Sequence, residues 1–197
     1  FLPFLITGFV IWGFLLSSFT EAGGAFVGAE GYIKQFSYPK QIYLLRALVT
    51  YSIILLVGFC AIIPMQIVFG RFSALGWLMA IPGLTLLIVA ALAHIVISAY
   101  LGTRFRDWPY ALTGILQVIF FVTPIMFPIK MLQEKHLDFV YRYNPLYYLI
   151  DIVRHPILTG TFAPPENYVF TLLYIAAAWA VAIVVARKLD NRLVFLL

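Results

Sequence analysis

Five long apolar stretches constrain this chain more than any other feature of its sequence. They cover approximately residues 1–20, 44–68, 75–101, 110–127 and 168–186, and about 20 apolar residues are enough for a helix to cross a bilayer's hydrocarbon core. The stretches are continuously apolar rather than alternating, and a lipid-exposed backbone must satisfy its own hydrogen bonds, so helices are favoured over strands. Pro64, Pro82 and Gly83 lie inside two stretches and are expected to kink the helices or to end a helical piece. The sequence therefore predicts an all-α integral membrane protein with five spans.

The distribution of charge predicts an orientation. Charged residues make up only 11% of the chain, against roughly 25% in soluble domains, so most of the surface must face lipid. Eight basic residues in the tails and shorter loops fall on one side of the predicted spans: Lys34, Lys40, Arg46, Arg104, Arg106, Arg187, Lys188 and Arg192. The other side has only Arg71 in its short turn, while its long segment has Lys130, Lys135, Arg142 and Arg154. Under the positive-inside rule the first side and the C-terminus are cytoplasmic, and the net charge of +5 reflects topology and anionic headgroups rather than nucleic-acid binding.

Several chemistries are excluded or disfavoured. The chain has no GxxxxGK[ST] phosphate loop, and its three histidines and one cysteine show no metal-ligand spacing. No Asp, Glu, Lys or Arg lies in the middle of a predicted span, although ion-coupled transporters usually need such groups there. His94, the one ionisable side chain deep in a span, is either a proton-relay or pore residue or, as we favour, a helix-packing residue bonded to a neighbour. Uphill transport would therefore need energy from another subunit.

Residues 21–43 form a predicted cytoplasmic loop between the first two spans. Glu30 to Phe36 is expected to form a short helix with Tyr32, Ile33 and Phe36 on one side, and Pro39 is expected to end the helical region. One interpretation is an interfacial helix that rests on headgroups, with Lys34 and Lys40 reaching toward water. The other is a docking element for a cytoplasmic partner, and the residues alone leave both open.

Residues 104–160 combine charge, an apolar span and a second apolar segment too short to cross. Asn144-Pro145 predicts a helix N-cap followed by proline in the first turn. The following LYYLIDIVR is too apolar for water, so we expect it to dip into the outer leaflet or to cap a cavity. Asp151 and Arg154 are spaced i,i+3 and are expected to pair, with a structural packing role as the simpler explanation.

These residues resemble a known family. The run FRDWPYALTGILQVIFFVTPIMFP, then YNPLYYLIDIVRHPILTG, then a last span that ends in basic residues, is similar to the permeases of type-2 ABC exporters. The most similar branch exports O-antigen, capsular polysaccharide and teichoic acid. Arg106-Asp107, Thr123-Pro124 and Asn144-Pro145 with Arg154 are the most specific parts, and Gly8 and Trp12 also fit that branch. The resemblance implies a single permease domain over residues 1–197, with an N-terminal interfacial helix and one further span, six in all, expected in the complete protein.

The resemblance also implies roles for individual residues. Residues 21–43 become a coupling loop whose ATPase-docking residues are Glu30, Tyr32, Ile33, Lys34, Phe36, Ser37, Tyr38, Pro39 and Lys40. Arg104, Arg106 and Asp107 lie at the cytoplasmic mouth, where the arginines can attract a lipid-linked pyrophosphate or can simply anchor the topology. Residues 129–167 become the re-entrant periplasmic gate, with Asn144, Pro145, Tyr147, Tyr148, Asp151 and Arg154. Aromatic residues can stack on sugars or form interfacial belts, and the channel candidates are Trp12, Phe14, Phe120, Phe121 and Phe127.

The expected function is that of a transmembrane subunit, not an enzyme, which exports an undecaprenyl-linked polysaccharide for lipopolysaccharide biosynthesis across the cell inner membrane. Its implied partners are a second copy of itself, two ATPase subunits that bind the ATP and magnesium, and membrane lipids. No cofactor or metal is expected in this chain. The alternatives are a small-molecule exporter of the same superfamily and a non-transporting scaffold or enzyme subunit. A continuous aromatic tunnel favours a glycan, whereas a closed central pocket favours a small molecule.

Overall fold

A computed structural model describes residues 1–36, 38–127, 132, 134 and 139–197, and every regular element among them is a helix. The α-helices are α1 (Leu2–Phe19), α2 (Glu30–Gln35), α3 (Gln41–Val68), α4 (Ala74–Arg104), α5 (Trp108–Val122), α6 (Phe139–Arg142), α7 (Pro145–Thr159), α8 (Pro165–Leu189) and α9 (Leu193–Leu196). Short 3-10 turns cover Glu21–Gly24, Val27–Ala29 and Asp190–Arg192.

Four of the described helical segments are long and apolar enough to cross a membrane: Leu2–Gly24, Gln41–Val68, Ala74–Arg104 and Pro165–Leu196. Their outward faces are apolar, as along α3, where Val49, Ile53 and Val57 are exposed. An exposed aliphatic surface of this extent is unfavourable in water and natural in lipid. The architecture fits the all-helical membrane protein that the sequence predicts.

The fifth predicted span, residues 110–127, contains a shorter helix. Helix α5 has 15 residues and is therefore about 22 Å long, against roughly 30 Å of hydrocarbon. It ends because Thr123 adopts an extended conformation with ψ of 131°, which is the conformation favoured for a residue that precedes a proline. The chain then turns through Thr123–Phe127 without continuing the helix.

The prolines inside α3 and α4 do not end these helices. Pro64 lies within the 28 residues of α3 and Pro82 within the 31 residues of α4, and both helices continue through them. The interpretation that they end a helical piece is therefore wrong. Each proline removes one backbone hydrogen bond, but in an apolar environment the other backbone groups have no better partner than the helix itself.

Helix α4 forms the centre of the bundle, where it packs most extensively against α7 and α8, while α1 packs against α3. Small residues make the contact with α7 possible. A Cβ added to Gly83 would overlap the Ile152 carbonyl oxygen, and one added to Gly76 would lie 2.5 Å from the Pro156 carbonyl oxygen. Because higher numbers on α4 meet lower numbers on α7, the two helices run in opposite directions, with their backbones in close approach.

We expect Gly83→Ala to destabilise the protein by about 1–3 kcal/mol, because the added methyl group must displace the backbone of α7. Gly13→Ala is the matched control, since a Cβ at Gly13 meets nothing within 4 Å and alanine is the better helix former. Thermal unfolding of both variants in detergent measures the difference. Equal stability of the two variants would contradict the close packing of α4 on α7.

Candidate functional site

The predicted cytoplasmic loop is seated on the ends of two helices. A Cβ on Gly102, near the end of α4, would collide with the backbone of Gly23, and a Cβ on Gly23 would lie 2.7 Å from the Pro109 ring. Phe26 is fully buried, with its ring centroid 5.0 Å from that of Tyr100. The first part of the loop is therefore packed against α4 and the start of α5.

The predicted docking helix forms as α2, Glu30–Gln35, and the helical region ends before Pro39. Tyr32 and Phe36 are 62% and 50% exposed, and the rings of Phe36 and Tyr38 lie 5.6 Å apart. Ile33 instead packs partly against the core, so it does not share the outward aromatic surface. We call Tyr32, Phe36 and Tyr38 the aromatic knob. Ser37, another of the predicted docking residues, lies outside the described residues.

The charges of α2 pair with each other. The Lys34 ammonium donates a hydrogen bond of 2.6 Å to Glu30 Oε1. This bond, with a smaller contribution from the charge of Arg106, lowers the pKa of Glu30 below its usual value. Both side chains are nearly half exposed, so the pair orders the helix surface more than it stabilises the fold.

Lys40 tethers the loop to the C-terminal end of the last long helix. Its Nζ donates to the Asp190 carboxylate at 2.7 Å and to the Asp190 carbonyl oxygen at 2.6 Å. Tyr100 Oη donates to the same carboxylate at 2.7 Å. The Lys40 ammonium is therefore engaged within the chain, whereas the rings of the aromatic knob are exposed. Sequence reasoning missed Tyr100 and Asp190 because they lie 90 residues apart, and Asp190 lies 150 residues from Lys40, with no local pattern that links them.

Arg104, Arg106 and Asp107 lie at the same end of the bundle as α2. All three are exposed, and the Arg104 guanidinium stands 5.3 Å from the Phe105 ring centroid. Asp107 occupies the N-cap position of α5 without a side-chain capping bond. The structure therefore gathers the predicted mouth residues at the surface, where their charges are accessible.

Aromatic side chains of α1 and α5 form a groove with a cavity of about 360 Å³. The ring centroid of Phe120 lies 5.6 Å from that of Phe9 and 5.5 Å from those of Trp12 and Phe121. Thr113 and Gln117 add polar atoms to the lining. We call this surface the aromatic groove. It brings together three of the five predicted channel residues and adds Phe9, which sequence reasoning missed although it lies one helical turn before Trp12.

The other two channel candidates lie elsewhere. Phe14 is buried in the helix-packing core, because a residue two positions after Trp12 points to a different side of the same helix. Phe127 is exposed beyond the end of α5 and does not line the groove. The prediction that both line one path with Trp12 is not supported by their positions.

The predicted N-cap of the gate segment is present. Asn144 Oδ1 accepts a hydrogen bond of 3.0 Å from the Leu146 amide, and Pro145 occupies the first turn of α7. The Asn144 side-chain amide also donates to Thr123 Oγ1 at 2.7 Å. The start of α7 is therefore bonded to the turn that ends α5, although 21 residues separate them.

Arg154 is the centre of a buried ionic cluster. Its side chain is 1% exposed, and its guanidinium lies 3.8 Å from the Asp151 carboxylate, as the i,i+3 spacing predicts. Arg154 also donates to the Pro124 carbonyl oxygen at 3.1 Å and stands 4.0 Å from the Phe4 ring centroid. The other carboxylate oxygen of Asp151 accepts from the Asn167 side chain at 2.8 Å. The cluster thereby joins α1, α7, α8 and the Thr123–Pro124 turn.

The remainder of α7 is also enclosed. Tyr147 and Tyr148 are buried. The Tyr148 ring stacks on Phe170 with centroids 4.8 Å apart, and its hydroxyl donates to the Arg142 carbonyl oxygen at 2.9 Å. Sequence reasoning expected a segment that dips into a leaflet or caps a cavity. The helix packs against α1, α4 and α8 on several sides, so its apolar residues are covered largely by protein. The predicted gate residues 129–131, 133 and 135–138 lie outside the described residues.

His94 makes the helix-packing bond that the sequence analysis favoured. Its Nε2 lies 2.8 Å from the Tyr174 hydroxyl, and its ring stacks on Phe19 with centroids 3.8 Å apart. In the part of the chain that the structure describes, no group of three or more His, Cys, Asp or Glu side chains is arranged to hold a metal.

Two curated relatives match most of the chain. Both are described as O-antigen export system permease protein RfbA from Klebsiella pneumoniae. One is 28% identical over 174 residues, which cover 87% of this chain and 65% of the relative. The other is 26% identical over 192 residues, which cover 96% of this chain and 71% of the relative. The chain resembles O-antigen export permeases.

This likeness confirms the resemblance that the motifs of residues 104–160 predict. No protein-family model matches the chain. The chain spans about two thirds of the length of these permeases. Both relatives are described as permease proteins, which agrees with a transmembrane subunit rather than an enzyme.

We expect Arg154→Met to destabilise this permease-like chain by about 3–5 kcal/mol, because it leaves the Asp151 carboxylate buried without its cation. The double variant with Asp151→Asn should be less destabilised than Arg154→Met alone, since it removes the unpaired charge. Arg71→Met, at an exposed arginine, is the control and should stay within about 0.5 kcal/mol of the wild type. Detergent unfolding measures the stability of all three, and a double variant less stable than Arg154→Met would contradict the pairing.

Proposed function

We propose that this chain is the transmembrane subunit of an ATP-driven exporter that moves a lipid-linked, O-antigen-like polysaccharide across the bacterial inner membrane. The observation that carries the proposal is the similarity to two O-antigen export permeases along 87% and 96% of the chain. The arrangement of charged, aromatic and buried ionic residues supports it at three places along the bundle.

The aromatic knob is the proposed docking site for a separate ATPase subunit. Two observations support this: the exposed rings of Tyr32, Phe36 and Tyr38, and a loop held firmly by Lys40, Tyr100 and Asp190. A rigid base under an exposed apolar surface suits a contact that must transmit movement. Because the basic residues concentrate at this end, we place it and the C-terminus in the cytoplasm. The ATP and magnesium are bound by the partner.

The aromatic groove is the proposed contribution of one subunit to the glycan path, with a second copy of the chain completing it. Phe9 and Phe121 are 42% and 66% exposed, so the groove is open at its rim and is not a closed pocket, while Trp12 and Leu116 form its buried base. An open aromatic surface suits a long polymer whose sugar faces slide over successive rings. A small-molecule exporter would be better served by an enclosed site.

Helix α7 is the proposed gate element on the side opposite the knob, with α5 as the fifth and incomplete span. It starts at the turn that ends α5 and runs antiparallel to α4 as far as Gly160, which lies beside Ser73 at the start of α4 and whose left-handed conformation (φ 72°) ends the helix. Such a re-entrant course is compatible with a membrane only where protein surrounds the helix. The burial of Tyr147, Tyr148 and Arg154 meets that condition.

The proposal is tested by deleting the gene in its host and restoring it on a plasmid. We expect surface polysaccharide to disappear and to return, and lipid-linked glycan to accumulate inside the deleted strain. The purified complex of the full-length permease and its ATPase should hydrolyse ATP faster when lipid-linked glycan is added. Intact surface polysaccharide in the deletion strain would overturn the proposed cargo.

We expect Tyr32→Asp with Phe36→Asp to abolish association with the ATPase, since burial of a carboxylate in an apolar contact is strongly unfavourable. Co-purification of the ATPase with the tagged permease measures this association. Phe162→Asp is the matched control, because Phe162 is equally exposed in the loop before α8, at the other end of the bundle. Unchanged ATPase recovery in the double variant would exclude α2 as the docking site.

We expect Trp12→Leu and Phe120→Leu each to slow polysaccharide export roughly two- to tenfold while the ATPase still associates, because aromatic pair contacts are worth about 0.5–1.5 kcal/mol. Surface polysaccharide per cell over time measures export. Phe195→Leu, at an exposed ring outside the groove, should export normally. Export at the wild-type rate in both groove variants would show that the aromatic groove is not part of the glycan path.

A further inference from the structure

A cavity of about 260 Å³ lies where α1 gives way to the loop, and none of the roles proposed above uses it. It is bounded by the turns of residues 21–28 on one side and by the first part of α3 on the other. The side chains that bring polar atoms to it are Glu21, Tyr43, Arg46, Thr50 and Tyr51. We call it the interfacial cavity.

The interfacial cavity presents one negative and one positive group, Glu21 and Arg46, that do not form an ion pair with each other. Neither Glu21 nor Arg46 belongs to any of the three ion pairs found among the described residues. The Ser17 hydroxyl donates to Glu21 Oε1 at 3.0 Å, which leaves the second carboxylate oxygen available. The planar guanidinium of Arg46 is suited to the bidentate binding of phosphate oxygens.

The cavity lies at the depth of the lipid headgroups. Helix α3 has 28 residues and is about 42 Å long, roughly 12 Å more than the hydrocarbon core is thick, so about four residues extend at each end. Arg46 is close to this boundary, in the second turn of α3, and Glu21 follows the end of α1. Both charges are therefore expected at the border between headgroups and hydrocarbon.

An apolar stripe leads from the cavity into the hydrocarbon region. Thr50, Ile53 and Val57 continue the face of Arg46 at helical spacing, and Ile53 and Val57 are 55% and 65% exposed. A ligand with its charged head in the cavity can therefore lay an acyl chain along α3. The molecule that combines these features is a phospholipid.

We propose that the interfacial cavity binds the headgroup of an ethanolamine phospholipid, with its phosphate at Arg46 and its primary ammonium at Glu21. A carboxylate in the lining disfavours headgroups that carry only negative charge, including those of phosphatidylglycerol and of lipid pyrophosphates. A quaternary ammonium has no N–H to donate to Glu21. The volume lies just below the roughly 300 Å³ at which pockets for drug-sized ligands begin, so it suits a headgroup and not a glycan. The proposal requires only that the chain lies in a membrane, and it does not rest on the proposed export.

Native mass spectrometry of the purified full-length protein tests this proposal by titration with phosphatidylethanolamine, phosphatidylglycerol and phosphatidylcholine of identical acyl chains. We expect the ethanolamine lipid to bind about tenfold more tightly than the other two, as one charge-assisted hydrogen bond would provide. Equal binding of the three lipids would overturn the proposal, and so would tighter binding of an undecaprenyl pyrophosphate lipid. These comparisons use the wild-type protein and need no variant.

Two single variants test the roles of Arg46 and Glu21 separately. Arg46→Gln should weaken the binding of all three phospholipids, because each of them carries the phosphate that is assigned to Arg46. Glu21→Gln should lower the affinity for the ethanolamine lipid about tenfold, whereas phosphatidylglycerol should bind at least as tightly as before. Retained binding of phosphatidylglycerol also shows that the variant is folded. Lys188→Gln, at an exposed cation of the same end that does not line the cavity, should bind all lipids as the wild type does. An equal loss of both lipids in Glu21→Gln would overturn the assignment of the ammonium.

Discussion

The guanidinium of Arg154 lies where an isolated charge would be very costly, and the surrounding helices are arranged so that it is not isolated. Asp151 supplies the counter-charge, Pro124 a carbonyl oxygen and Phe4 an aromatic face. The three partners belong to three different segments: α7 itself, the turn after α5, and α1. Arg154 therefore links these segments to one another. Loss of any one of them leaves a buried charge incompletely compensated. The positions of α5 and α7 relative to α1 follow from this requirement.

Helix α4 connects that cluster with the opposite end of the bundle. Near its start, Gly76 and Gly83 allow the backbone of α7 to come into contact, and near its end Gly102 does the same for Gly23 of the loop. Tyr100, on the last turns of α4, adds a hydrogen bond to Asp190, which in turn holds Lys40. In the proposed exporter, a displacement of the aromatic knob would therefore reach α7 through one continuous helix of 31 residues. The route consists of close backbone approaches at the glycines and of side-chain hydrogen bonds between Lys40, Asp190 and Tyr100.

Local patterns in the sequence predicted local structure well. Asn144-Pro145 begins α7 because a cap depends on residues two positions apart, and Asp151 pairs with Arg154 because both lie on the same helix. The short helix α2 was predicted from its local sequence, and four of the five predicted long helices follow from composition and length. Long-range pairs were missed, namely Lys40 with Asp190, Gln66 with Ile157 and Asn144 with Thr123. The helix faces were also partly misjudged, since Phe14 and Ile33 turn inward.

The sequence by itself determined the class of the protein and its resemblance. Long and continuously apolar stretches favour helices that cross a membrane, because a helix satisfies its backbone hydrogen bonds within one segment. The motifs of residues 104–160 can be read directly from the linear order of residues. Only the tertiary structure decided that α7 is a core helix, that Arg154 joins four segments, and that Glu21 and Arg46 face one cavity. A linear pattern states how apolar a helix is. It does not state which neighbour covers each face, and in lipid that depends on close contacts at single glycines and on partners for buried charges.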